Sequence, residues 1–261
     1  MFKEIEVLEG IVKKAAREEL MTRFTAVSSE QKADGSLVTE ADLAMQNRLQ
    51  KELSNQWPEI ILLSEEMSEA QQQEVLKSEN PFWCLDPLDG TSNYAAGIPY
   101  FAVSLSLIEN GEVVAGLVYD PVRDECFKAV KGGIAQLNGN ELELKQTVEA
   151  LNQSIAIIDF KRLTEALSVK LIKEQPFASQ RNFGASALDW CWMAASRGQL
   201  YLHGKQNIWD YSAGQFIFNI AGGHASTLEG DEIFVNKLIG RSVIAAESSG
   251  LLKQWISWVN G

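Results

Sequence analysis

The sequence predicts an α+β arrangement in its first half and an alternating α/β arrangement in its second, and three observations carry that reading. Apolar residues recur at helical spacing near the start, strand-like runs punctuated by Gly and Asn turns begin at Pro81, and beyond a polar stretch at 145–152 strands and helices alternate. Ile5, Leu8, Ile11, Val12 and Ala15 share one helical face, so the first twenty or so residues form an amphipathic helix. The loop SSEQKADGSL follows. Thr39, Glu40, Ala41 and Asp42 then open a second helix in the pattern of a capping box, with Met45, Leu49 and Leu53 as its apolar stripe. PEIILLSEE is a strand closed by Glu65 and Glu66, and residues 68–80 are polar and irregular or helical.

FWCLD is the next strand. FAVSLSLIE and EVVAGLVYD follow, joined by Asn110 and Gly111, a two-residue hairpin signal. ECFKAVKGGIAQLNGNELEL continues with short strands, and the polar stretch after it is the expected seam between residues 1–146 and 147–261. Past the seam, SIAIIDF is a buried strand, followed by helix, strand, helix and strand. The helix YSAGQFIFNIA ends at Gly222 and Gly223, with Asp210 as its candidate N-cap.

Composition narrows the function. At 261 residues, 46% of them hydrophobic, the chain is long enough for a sizeable core. Its formal charge of -12, with no long basic run, argues against direct nucleic-acid binding. An anionic substrate would then need divalent cations as mediators. Cys84, Cys126 and Cys191 are scattered and odd in number, which points to reduced core thiols rather than a disulfide framework or a zinc site. The N-terminal stretch lacks a signal peptide's apolar core and no later run reaches membrane-spanning length, so no membrane association and a cytoplasmic location are expected.

The stretch WCLDPLDGTSNY concentrates the chemistry. Two carboxylates at close range repel by about 4 kcal/mol at an effective dielectric near 20, so Asp86 and Asp89 need a neutralising partner. Either alone could be a turn former, because Asp-Pro and Asp-Gly both favour turns. Asp42 could simply cap its helix, and Asp210 likewise. Together, Asp42, Glu65, Asp86, Asp89 and Asp210 place acids at the edges of four segments, the oxygen-only donor set that Mg²⁺ prefers. Gly90, Thr91 and Ser92 then read as a helix start whose N–H groups can hold a phosphate.

With these motifs, the sequence resembles the inositol monophosphatase family. DGSLVTEAD, LLSEE, WCLDPLDGTSNY, FGASAL and IWDYSAG fall in that family's order over nearly the whole chain. The resemblance implies a layered αβαβα sandwich, Mg²⁺-dependent hydrolysis of a small phosphorylated metabolite, inhibition by Li⁺ and a homodimer. It implies that Glu65, Asp86 and the Leu88 carbonyl bind one Mg²⁺, that Asp86, Asp89 and Asp210 bind a second, and that a weaker third ion also uses Glu65. Thr91 and Asp42 would orient and deprotonate the attacking water, and the Gly90 and Thr91 amides would take phosphate oxygens, with Ser92 beside them. Gly184, Ala185 and Ser186 would supply backbone contacts to substrate, and the loop around Lys32 and Asp34 would close over the ions. No covalent enzyme intermediate is implied.

Three departures from the family pattern matter. Ser64 replaces a Gly, Ala185 and Ser186 differ from the usual side chains, and His203 stands where inositol-cleaving members carry a Glu. His203 is thus either a substrate contact or a strand-end histidine without a role, and Lys205 either a contact to a second anionic group or a solvated lysine. Inositol 1-phosphate leads the substrate expectations, with bisphosphate nucleotides, fructose 1,6-bisphosphate and histidinol phosphate as alternatives. Some bacterial members also associate with the transcription machinery, so an added protein partner is a second expectation. The LDGT string also echoes the aspartyl-phosphate phosphatases, but the position their nucleophile needs is occupied by Pro87.

Overall fold

The computed structural model describes residues 2–24, 29–31 and 37–261, so the loop around Lys32 and Asp34 lies outside the described residues. Helix α1 (Ile5–Ala15) runs into a π-helical turn at Ala16–Met21. Strands β1 (Ser29–Gln31) and β2 (Leu37–Thr39) pair antiparallel ahead of α2 (Glu40–Gln56). The expected capping box is present, with the Thr39 N–H donating to Asp42 Oδ2 at 2.8 Å. Strand β3 (Ile61–Ser64) and α3 (Glu69–Lys77) follow, the latter resolving the polar 68–80 stretch into a helix capped by Ser68.

Strand β4 (Phe82–Asp89), the short helix α4 (Thr91–Ala95), β5 (Ala102–Glu109), β6 (Glu112–Asp120), β7 (Glu125–Val130), β8 (Ala135–Leu137) and β9 (Asn140–Leu142) come next. With β3 they form a seven-stranded mixed sheet in the order β3-β4-β5-β6-β7-β8-β9. Asn110 and Gly111 both take positive φ, 52° and 75°, as the predicted hairpin turn requires. A second, five-stranded sheet runs β11-β10-β12-β14-β13, built from β10 (Ile155–Asp159), β11 (Ser179–Arg181), β12 (Leu200–Gln206), β13 (His224–Ser226) and β14 (Arg241–Ala246). Its helices are α5 (Glu165–Glu174), α6 (Ser186–Ala194), α7 (Ile208–Ile220) and α8 (Ser249–Asn260).

Side-chain alternation builds the layers. On β4, Trp83 and Leu85 enter one core with Leu8, Val12, Met45 and Leu49 of α1 and α2. Phe82 and Cys84 enter the opposite core, with Trp190 of α6 and Tyr211, Ala213 and Phe218 of α7. Tyr201, Val243 and Ala245 of the second sheet close that core from the far side, while Leu200, Leu202 and Ile244 face Leu171 of α5 and Leu251 and Trp255 of α8. The order of layers is therefore α1/α2, first sheet, α6/α7, second sheet, α5/α8: the αβαβα sandwich. Each buried Leu- or Phe-sized side chain contributes about 1.5–3 kcal/mol, so the middle helices, covered on both sides, hold the two sheets together. The chain leaves the first sheet at Leu142 and enters the second at Ile155, yet α6 and α7 share the core of the first sheet.

The three cysteines are buried and unbridged, and among the described residues no helix is long and apolar enough to cross a membrane. Helix α1 is anchored from beneath: buried Lys128 of β7 donates to Glu6 at 2.6 Å and Glu9 at 2.7 Å. At the π-helical turn, the Leu20 carbonyl accepts the Tyr94 hydroxyl of α4 at 2.6 Å.

Candidate functional site

Beyond the C-terminal ends of β3, β4, β10 and β12, a cleft of about 340 Å³ opens between the two sheets. Asp86 and Asp89 both line it. In a regular strand, residues three apart point to opposite faces. The register of β4 against β5 shifts between Asp86 and Asp89, and that irregularity, which also accommodates Pro87, brings both carboxylates to the same side. Asp86 accepts the Leu88 N–H at 3.0 Å, so it forms the turn its sequence favours and faces the cleft as well. Asp89 Oδ1 and Oδ2 accept the amides of Ser186 (3.1 Å) and Ala187 (2.7 Å), capping α6, whose own N-cap Ala185 has no side-chain acceptor.

Asp210 is a correction to the N-cap expectation. Helix α7 begins three residues earlier than that, after Asn207, and Asp210 sits at its third position, with Oδ2 accepting the Asn207 N–H at 2.7 Å. Asp42 holds the equivalent place on α2. In each, one oxygen serves the helix start: Asp42 uses Oδ2 for Thr39, and its Oδ1 accepts the Thr91 hydroxyl at 3.1 Å. Thr91 Oγ1 also lies 3.0 Å from the Leu88 carbonyl. Thr91 lines the cleft and Asp42 stands behind it.

Glu65, Asp86 and Asp210 each offer a carboxylate oxygen within 4.8 Å of the others. This hard-oxygen set, from the residue after β3, from β4 and from α7, fits a divalent cation such as Mg²⁺. The electrostatics make the same point. Desolvation, then repulsion from Glu65, Asp89 and Asp210, holds Asp86 well above the usual carboxylate range. Desolvation and Glu65 do the same to Asp210. Burial lifts Asp89 to about 7 against the pull of the Ser186 and Ala187 amides. Such a cluster is strained until a cation neutralises it. Burial raises Asp42 too, opposed by its bonds to Thr39 and Thr91.

The cleft is also lined by Leu88, Gly90, Ser92, Gly184, Ala185, Ser186, His203 and Lys205, while Glu66 is not among its lining residues. Gly90 has φ +91°, and a Cβ there would lie 3.0 Å from Ala185 Cβ and 3.1 Å from the Tyr100 carbonyl, so glycine is what lets α4 and the 184–186 turn approach. Asn93, which sequence reasoning passed over, ties the two by donating to the carbonyls of Tyr100 (2.8 Å) and Phe183 (2.7 Å). Ser64 packs its hydroxyl into the interior without a hydrogen-bond partner among the described residues.

His203 is buried, and burial lowers its pKa to about 4. Nδ1 accepts the Lys205 N–H at 3.1 Å, so the neutral ring carries its proton on Nε2, 3.7 Å from Asp159. Asp159, Lys161, Arg162 and Asp189 also line the cleft and were missed by sequence reasoning. The first three had a signal: Asp159 ends β10 and Lys161 and Arg162 follow it, and open α/β sheets bind ligands beyond the carboxyl ends of their strands. Asp189 had none, because an acid in a helix's first turn reads as a helix-dipole partner.

Comparison with known proteins agrees with this architecture. The profile of the inositol monophosphatase family matches residues 3–258. The Nus factor SuhB of Pasteurella multocida is 31% identical over 221 residues, covering 82% of this chain and 80% of its own. Among solved structures, the extragenic suppressor protein SuhB of Bartonella henselae matches with a TM-score of 0.86 at 27% identity, covering 98% of this chain and 97% of its own. The IMPase of Thermotoga maritima matches with a TM-score of 0.86 at 26% identity, covering 99% and 97%. A family profile that runs almost from end to end, joined to the same layered fold in solved relatives, leaves one assignment: the chain belongs to the inositol monophosphatase family.

Proposed function

We propose that the protein is a Mg²⁺-dependent phosphomonoester hydrolase. The observation that carries this reading is the convergence of Glu65, Asp86 and Asp210 within 4.8 Å beside the hydrogen-bonded Thr91–Asp42 pair. Glu65, Asp86 and the Leu88 carbonyl would hold one ion, and Asp86, Asp89 and Asp210 a second, with a third at Glu65. Bound Mg²⁺ supplies charge neutralisation at phosphate oxygens and an acidified water. The chain's own residues do the rest. Thr91 Oγ1 directs its proton toward Asp42 Oδ1 or the Leu88 carbonyl, leaving lone pairs toward the cleft to accept a proton from the attacking water. Asp42, made more basic by burial, receives that proton through Thr91. The Gly90, Thr91 and Ser92 segment and the 184–186 turn frame the phosphate and the body of the ester.

Inositol 1-phosphate is the leading substrate by family, and the neutral His203 in place of an acid argues for testing others beside it. Phosphate release by purified protein with and without Mg²⁺, for the wild type and Asp89→Asn, tests the reading. Mg²⁺-independent release, or full activity in the variant, refutes it. A second reading, an added role with the transcription machinery, is supported by the name Nus factor carried by a relative. Co-purification with RNA polymerase, retained in a hydrolysis-dead variant, would support it. A homodimer and a cytoplasmic location complete the proposal; sedimentation tests the former.

A further inference from the structure

Helix α6 carries an acid that its own start does not need. Asp189, in the first turn, is 3% exposed and lines the cleft. The Ser186 and Ala187 amides that open the helix are already taken by Asp89. Asp189 Oδ1 accepts the Tyr100 hydroxyl at 2.9 Å, and among the described residues no other side chain bonds it and no cation pairs with it. Its Oδ2 has no protein partner and is not sealed in the interior, so it opens on the cleft.

Burying an acid in this way is costly. One phenol does not offset the desolvation of a carboxylate, and the fields of Asp89 and Asp159 oppose its charge as well. A leucine beside a phenylalanine would fill the same interior without that cost. An expensive group kept at a cleft wall points to work on a ligand. The two opposing fields also locate it. Asp89 stands on the acidic side with Asp86, and Asp159 ends β10 beside His203, so Asp189 lies between the phosphate end of the cleft and its far wall, next to the space the body of an ester would fill.

Chemistry selects the group it would meet there. Lys161, Arg162 and Lys205 line the same cleft and disfavour an ammonium, while Asp89, Asp159 and Asp189 itself disfavour a carboxylate beside it. A hydroxyl both donates and accepts, so it suits a buried carboxyl in either protonation state. We propose that Asp189 is a specificity residue that hydrogen-bonds a hydroxyl on the body of the ester, so that the cleft selects polyol phosphates over esters of plain alcohols. This rests on the phosphatase reading above. Tyr100, stacked on Phe183 with ring centroids 4.9 Å apart, is the positioning residue that fixes the carboxyl.

The test uses matched esters with the Mg²⁺-loaded protein: inositol 1-phosphate against cyclohexyl phosphate, and glycerol 2-phosphate against isopropyl phosphate. In at least one pair, kcat/KM should favour the polyol by roughly tenfold or more. Tyr100→Phe removes the positioning hydroxyl and leaves the acid. Tyr100→Phe/Asp189→Leu removes both partners together, which strands no polar group in the interior and spares the fold. The double variant should show a polyol preference roughly tenfold below that of Tyr100→Phe, the size of one charge-assisted hydrogen bond. Asp189→Asn, which keeps an acceptor for Tyr100 but turns only donors to the cleft, should lower the preference by a smaller factor, and Lys253→Gln on α8 should leave it unchanged. An equal loss on both esters of a pair, or a double variant that matches Tyr100→Phe in preference, would overturn the assignment and leave Asp189 a structural acid. No polyol preference in either wild-type pair would overturn it too. Absence of Mg²⁺-dependent release from every ester would instead overturn the phosphatase reading itself, and the assignment with it.

Discussion

Removing divalent cations should destabilise this protein progressively as pH rises, and Mg²⁺ should reverse the loss. Asp89, 7% exposed, is lifted from 3.8 to about 7. Between those values the folded chain keeps a proton that the unfolded chain has released, so stability falls as pH increases through that window and the full penalty applies above its upper end. A displacement of that size is worth on the order of 4 kcal/mol, or on the order of 10 °C in Tm for a chain of this length. Asp86 and Asp210, both also raised, add to it in the same direction. Mg²⁺ binds the deprotonated acids, so the Tm difference between saturating Mg²⁺ and EDTA should be small near pH 4.5 and largest near pH 8. Calorimetry at constant ionic strength reads this directly. A difference that is flat with pH, or larger at the acid end, would refute the reasoning.

Asp210→Asn should separate stability from function: its amide oxygen can still accept the Asn207 N–H, so the cation-free protein should gain Tm at pH 8 while phosphate release falls by roughly a hundredfold or more. Thr91→Val should lower kcat by about 10²–10⁴ with little change in KM, and Thr91→Ser should restore most of it, as stopped-time phosphate assays would show. Gly90→Ala should cost about 1–3 kcal/mol in urea unfolding, because alanine at φ +91° is strained and its Cβ would press on Ala185 and the Tyr100 carbonyl. Millimolar Li⁺ should inhibit turnover, and unaffected turnover would remove the third-ion part of the analogy.

The layers were legible because helical and strand periodicities survive intact in α2, β5, β6 and their neighbours, and because Asn110-Gly111 and Thr39-x-x-Asp42 name their own geometry. The acids were legible as a set, since chemistry rather than propensity places carboxylates at element ends. The bulge that turns Asp86 and Asp89 to one side was hidden, because spacing along a strand says nothing of register against the next one. The start of α7 was misjudged for a related reason: Asn207 and Asp210 are both capping residues, and only the backbone shows which stands outside the helix. Lys161 and Arg162 look like ordinary surface cations until β10 and β12 are seen to be parallel neighbours.

The widened turn at the end of α1 has a reach its location does not advertise. At the end of that turn the Leu20 oxygen accepts both the Arg23 N–H and the phenol of Tyr94, three positions beyond Thr91, while Lys128 pins the same helix from below. The amino-terminal segment thus braces the short helix that aims the threonine from behind. Tyr94→Phe would spare every carboxylate of the cleft yet leave that hydroxyl without a backstop, so the variant should still take up cations while losing part of its turnover.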